Sequence, residues 1–142
     1  MKLAIIPARG GSKRIPHKNA KLFCGQPIIA YSIQSALKSG LFDRILVSTD
    51  DEDIARIAIS FGAEVPFSRP SHLSDDITPT VTAIKHAVEW AINNWGIVSH
   101  VCCIYSTAPF VTAEDIKQAY RKLVDEKVEG YVFTATNIEC NG

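Results

Sequence analysis

Apolar residues along this chain fall into two kinds of run that alternate from the first residue onward. Short continuous runs have the length of buried strands, and between them apolar positions recur at the three- and four-residue spacing of a helix face. Residues 2–7, with Leu3-Ala4-Ile5-Ile6 at their centre, predict a first strand. Pro27 suits the first turn of a helix that carries Ile28, Ile29, Tyr31, Ile33, Ala36 and Leu37 and stops at Gly40. Residues 44–48 form the second strand. Asp50 or Asp51 caps the next helix, whose buried stripe is Ile54, Ile57, Ala58 and Phe61 before Gly62. Residues 64–67 predict a short third strand, and Pro66 places it at an edge or ends it early.

After a polar loop from Ser68 to Pro79 comes the longest helical pattern, Thr80 to Trp95, with Val81, Ile84, Val88, Ala91, Ile92 and Trp95 at helical spacing; Trp90 and Trp95 read as packing residues. His100 to Tyr105 is nearly all apolar, as expected of a central parallel strand covered on both faces. Thr112 caps a helix to about Glu126, with Glu114 and Asp115 at its positive end. Residues 130–135 predict a last strand. Strand and helix in alternation specify an α/β fold with a mostly parallel sheet. The 142 residues suit one domain, 1–142, a length that buries about 68–70% of its unfolded surface. Asn137 to Gly142 stops just past a strand. Ligands in such sheets sit outside the carboxyl ends of strands, so the expectation is a domain lacking a wall of its own site.

Charge changes the picture locally. Lysine plus arginine balance aspartate plus glutamate at 15 each. Yet Lys2, Arg9, Lys13, Arg14, Lys18, Lys21 and Lys38 all precede Asp43, the first acidic residue. Most of these cations surround Gly10-Gly11, directly after the first strand. Glycine lets backbone N–H groups approach an anion closely, and the cations neutralise it, so the loop reads as a polyphosphate cradle. The competing reading is a solvated basic loop. Net charge of zero and the lack of stacking aromatics in the cluster argue against a nucleic-acid polymer as partner. No apolar run is long enough to span a bilayer and no leader is evident, and the cysteines show no zinc spacing. The expectation is a cytoplasmic protein with reduced thiols and no membrane partner.

Neither the G-x-x-x-x-G-K-[ST] loop nor the G-x-G-x-x-G pattern is present. Instead, Ile6-Pro7-Ala8-Arg9-Gly10-Gly11-Ser12-Lys13-Arg14-Ile15-Pro16-His17-Lys18-Asn19 resembles the I-P-A-R-G-G-S-K-x-I-x-x-K-N motif of the acylneuraminate cytidylyltransferases, the CMP-sugar synthetases. The likeness continues through Gly25 to Ile33, Val47-Ser48-Thr49-Asp50-Asp51 and Arg69-Pro70-x-x-Leu73, and covers essentially the whole chain. A further family segment usually reads L-Q-P-T-S-P. Here it is Ile104-Tyr105-Ser106-Thr107-Ala108-Pro109, which looks like the branch that activates pseudaminic acid.

The resemblance implies a Rossmann-like nucleotidyltransferase fold in three layers, α/β/α, with its C-terminal part missing. It implies transfer of CMP from CTP to the anomeric hydroxyl of a nonulosonic acid, with release of pyrophosphate and with Mg2+ as cofactor. Pseudaminic acid is favoured; N-acetylneuraminate, legionaminate or KDO are the alternatives, and a CTP-binding module without turnover is another. Arg9 and Lys18 are the implied charge stabilisers. Ala8, Arg9, Gly10, Gly11, Ser12, Lys13, Lys18, Asn19, Arg69 and Thr78 are the implied nucleotide site, and Tyr105 and Thr107 the sugar site. Arg69 alternatively pairs with Asp75 or Asp76, Thr78 and Thr80 cap a helix, and Tyr105 packs in the core. Asp50 is either a helix cap or a magnesium ligand. The family's principal metal aspartates are expected further toward the C-terminus than residue 142. Members of the family are usually homodimers.

Overall fold

A computed structural model describes residues 1–135; the expectation for Asn137 to Gly142 lies outside them. The described elements are β1 (Lys2–Pro7), β2 (Leu22–Phe23), β3 (Gln26–Pro27), α1 (Ile28–Ser39), β4 (Arg44–Ser48), α2 (Glu52–Ser60), α3 (Thr80–Trp95), β5 (His100–Cys103) and α4 (Ala113–Asp125). Short 3-10 turns occupy Lys18–Ala20 and Ser71–Leu73.

The first strand is the middle of the sheet. The order is β4-β1-β5, all parallel, with Ile5 opposite both Leu46 and Cys103. Alternation along β1 sends its side chains to two separate layers. Ala4 and Ile6 join Ile29, Ile33, Ile45, Val47, Ile54, Ala58 and Ile116 under α1, α2 and α4. Leu3 and Ile5 join Leu46, Ala87 and Ala91 under α3. This is the three-layer α/β/α arrangement expected.

Local chemistry explains the helix ends. Asp51, and not Asp50, caps α2: its carboxylate accepts from the N–H groups of Asp53 and Ile54 at 2.8 and 3.0 Å. Pro27 stands at the cap position of α1, one residue before its first turn. Thr112 and Asp115 form a reciprocal capping box on α4. In α3 the buried residues are Ala83, Ala87 and Ala91, whereas Val81 and Ile92 are exposed. The face toward the sheet is the alanine stripe, because small side chains let the helix backbone come close.

Three strand expectations are corrected. Residues 64–67 make a single bridge, Leu46 to Glu64, and the next one, Thr49 to Ser68, lies just past them, since Pro66 between the two has no N–H to donate. β5 ends at Cys103 and is an edge of the described sheet, with Val101 41% exposed, so it is not covered on both faces. Residues 131–135 form no strand with any of the described residues, and Tyr131 is 82% and Phe133 73% exposed. A further element went unread: β2 and β3 form a two-residue hairpin whose turn, Cys24-Gly25, has positive φ at both positions (46° and 88°).

Candidate functional site: a cationic cleft at the strand ends

Parallel strands deliver their carboxyl ends to one edge. β1 runs into Ala8 and Arg9, β4 into Thr49 and Asp50, and β5 into Ile104 and Tyr105. A cleft of about 290 Å³ opens there, and the residues expected for both subsites meet in it: Arg9, Ser12, Lys18, Asn19, Arg69, Thr78, Tyr105 and Thr107. Gly11 and Lys13 line an adjoining hollow that shares Arg9 and Ser12.

Arg69 is 5% exposed. Its Nε donates to the Ser48 hydroxyl at 3.0 Å, and Nη2 donates to the Ser48 carbonyl. Its own N–H donates to the Thr49 carbonyl at 2.7 Å, which ties the loop to the end of β4. Burial holds the guanidinium pKa below its ordinary value; Asp50 opposes that shift and Arg9 adds to it. Neither Asp75 nor Asp76 pairs with Arg69, so the salt-bridge alternative is not what the structure holds.

Asp76 instead crosses the cleft to the basic loop after β1. It accepts from Arg9 Nη1 at 2.5 Å and faces Lys13 Nζ at 2.9 Å. Hydrogen bonds from Lys13 and Arg9 hold its carboxyl below the usual range. Asp75 accepts from the N–H groups of Ile77 and Thr78 at 3.0 and 2.6 Å, and so shapes the turn that presents Asp76. Lys18 is half-buried and has no carboxylate partner among the described residues. It follows His17, whose left-handed backbone (φ 51°) turns the chain into the 3-10 helix.

Two members of the expected nucleotide site are not part of the cleft. Ala8 is 1% exposed and its N–H donates to the Ser48 carbonyl, so it packs beneath the loop. Gly10 donates its N–H to Asp50 at 2.8 Å, which takes that donor away from any ligand. Its role is close approach: a Cβ there would lie 2.7 Å from Asp51 Cβ, at the cap of α2. Asp50 thus holds the loop and is neither helix cap nor part of a metal-binding cluster among the described residues. Asn19 lines the cleft, but both ends of its amide hold protein, Arg9 on one side and Ser106 on the other. Tyr105 is 59% exposed and not a core residue.

Sequence reasoning missed Asp76 and Ser106. Nothing local marked Asp76, because its partners are 67 and 63 positions away in the chain. Ser106 carried a signal, a hydroxyl where the L-Q-P-T-S-P form has proline.

Fold and cleft together define a parallel α/β protein whose strand ends suit a small, highly charged anion. The chain belongs to the cytidylyltransferase family, whose model matches residues 3–141. It is 48% identical to a pseudaminic acid cytidylyltransferase of Campylobacter jejuni, over 96% of this chain and 59% of that protein. It is 38% identical to a CMP-N,N'-diacetyllegionaminic acid synthase of Legionella pneumophila, over 82% of this chain and 50% of that protein. In fold it matches a CMP:2-keto-3-deoxy-manno-octonic acid synthetase solved with CTP, with a TM-score of 0.70 at 22% identity over 89% of this chain and 48% of that one. The chain therefore spans between half and three fifths of the length of the two curated relatives.

Proposed function

We propose that this chain binds CTP in the cleft between Arg9 and Arg69 and serves transfer of CMP to a nonulosonic acid, pseudaminic acid first. The observation that carries the reading is the meeting of Arg9, Ser12, Lys18 and Arg69 at the carboxyl ends of β1 and β4, facing Tyr105 and Thr107. Family membership and the name of the 48% identical relative support the sugar. Legionaminate, N-acetylneuraminate and KDO remain the other acceptors to test.

In the reaction proposed, the anomeric hydroxyl of the sugar acid attacks the α-phosphorus of CTP. A new P–O bond forms, the bond to the oxygen bridging to the β-phosphate breaks, pyrophosphate leaves with the electron pair, and the hydroxyl proton passes to solvent. Such chemistry needs positioning and neutralisation more than covalent help. Arg9 and Lys18 are placed to neutralise the polyphosphate, and Ser12 and the open Gly11 backbone to donate to it. Arg69, with Nη1 free of hydrogen-bond partners among the described residues, presents directed donors to the pyrimidine edge. Tyr105 and Thr107 face the sugar acid.

Magnesium is proposed from family membership only. The described residues hold no cluster of three metal-type ligands, and the cleft carboxylates Asp75 and Asp76 are engaged by backbone and by cations. Homodimer assembly and a cytoplasmic setting belong to the same proposal. No helix among the described residues is long and apolar enough to cross a membrane.

A second reading, a CTP-binding module without turnover, is favoured by the exposure of Tyr105 on the sugar side. Pyrophosphate release from CTP with each of the sugar acids, with and without magnesium, separates the readings. Turnover with pseudaminic acid is the expected result. CTP binding without pyrophosphate supports the module, and no CTP binding at millimolar concentration rejects both.

A further inference from the structure

We infer that Ser106 is a positioning residue that sets the phosphate loop through Asn19, linking the sugar side of the cleft to the nucleotide side. The inference rests on the CTP reading above. Ser106 and Asn19 are 5% and 3% exposed. The Ser106 hydroxyl donates to Asn19 Oδ1 at 2.5 Å, and Asn19 Nδ2 donates to the Arg9 carbonyl at 2.7 Å. Two hydrogen bonds thus run from between Tyr105 and Thr107 to the peptide joining Arg9 to Gly10.

The orientation of the amide is fixed at Arg9, because a carbonyl only accepts and therefore takes the nitrogen end. That leaves Oδ1 as a buried acceptor, and the Ser106 hydroxyl, which can donate, satisfies it. Without the hydroxyl, Oδ1 is a buried acceptor with no partner among these groups, and the side chain loses the contact that holds it against Arg9. The Asn19 amide then holds the loop less firmly. The loop's other anchors from the cleft side are the exposed Gly10 bond to Asp50 and the pairs that Arg9 and Lys13 make with Asp76, all open to water. The relay is the buried one among these. At the far end, Ser106 is itself fixed: the Ser32 hydroxyl of α1 donates to the Tyr105 carbonyl at 2.7 Å, and that of Ser35 to the Val111 carbonyl at 2.7 Å. The L-Q-P-T-S-P form has proline at this position, which carries no hydroxyl, so the relay belongs to the Tyr-Ser-Thr version that this chain has.

The test uses the whole chain with Ser106→Ala and Ser106→Thr. In the ligand-free protein, amide hydrogen exchange is followed at the Asn19 side chain and at Gly10, with α3 amides as the reference for global opening. Affinity is measured for CTP and for cytidine, which has no phosphate. Ser106→Ala is expected to speed exchange at Asn19 and Gly10 and to weaken CTP binding about three- to tenfold, while cytidine affinity and α3 exchange stay constant. Ser106→Thr, which keeps the hydroxyl, is expected to restore both. Unchanged exchange at Asn19 in Ser106→Ala overturns the relay. So does an equal loss for CTP and cytidine, the mark of a merely structural role. If Ser106→Thr overfills its site and melts early, Ser106→Cys, a weaker donor, must fall between serine and alanine, and equality with alanine overturns the relay. A wild-type chain that does not bind CTP, with Asn19 exchange still responding to Ser106→Ala, rejects the CTP reading and leaves the relay standing.

Discussion

Asp76 occupies the place where a phosphate is expected, between the Arg9 guanidinium and the Lys13 ammonium. In the free protein one carboxylate is therefore already shared between the two cations, and an incoming polyphosphate has to displace it. Exposure matters to the size of the effect: Lys13 is 87% exposed, and pairs in water contribute little. Replacing Asp76 by Asn keeps the shape and removes the competitor. Calorimetric titration with inorganic pyrophosphate at low salt is expected to show about two- to fivefold tighter binding in Asp76→Asn. Unchanged or weaker binding would show that Asp76 does not compete with phosphate. None of this was legible beforehand. The one pairing weighed for Asp76, as the alternative with Asp75 for Arg69, was with a near neighbour in the chain, whereas the folded loop carries it across the cleft to residues far away in sequence.

At the scale of elements, helices were read well because their evidence is local. The apolar residues of α1 and α2 repeat within a turn or two, and their stops and caps lie beside them in the chain. Strands depend on a partner, and periodicity cannot report one. Tyr131, Val132 and Phe133 have the composition of a strand but no neighbour among the described residues to accept their hydrogen bonds. The hairpin of β2 and β3 fails for the opposite reason: strands of two residues have no period to detect. The clearest element-level test is the capping box of α4. The backbone N–H and the hydroxyl of Thr112 hold the Asp115 carboxyl below its ordinary pKa. A carboxyl lowered by folding contributes stability that is present above its unfolded pKa and lost as pH falls through the lower folded value. Urea midpoints measured downward from about pH 5 should therefore fall more steeply in the wild type than in Asp115→Asn, whose box no longer titrates. Parallel curves would remove the box from the acid response. Thr112→Ala should cost about 1 kcal/mol at neutral pH in the same assay.

For the whole molecule, cysteine reactivity reports how the layers close. Burial, with Cys103 adjacent, pushes the Cys102 thiol up to about 11, while Cys24 stands exposed on the hairpin turn. Iodoacetamide at pH 8, followed by mass spectrometry, should label Cys24 first and Cys102 at least about tenfold more slowly until denaturant opens the fold. Equal rates would mean that β5 is loosely held. The lining of the cleft was legible in part, and for one reason. Motif residues show which side chains are available, and the fold brings Arg9, Ser12, Lys18, Arg69, Thr78, Tyr105 and Thr107 into one cleft. They do not show which backbone donors are already taken, and so Gly10, whose N–H Asp50 holds, and Ala8, packed beneath the loop, lie outside it. The central position of β1 has a consequence in time. Among the described residues β1 finds its neighbours at residues 44–48 and 100–103, so its loop-closure entropy is repaid late. Pairing so distant in sequence makes for slow folding. A nascent chain that has not yet reached β5 carries Leu3 and Ile5 on a half-built sheet, and the arginine loop hangs from that strand without its Asn19 to Ser106 anchor. During synthesis, the arginine loop is made well before the residues that give it its working shape.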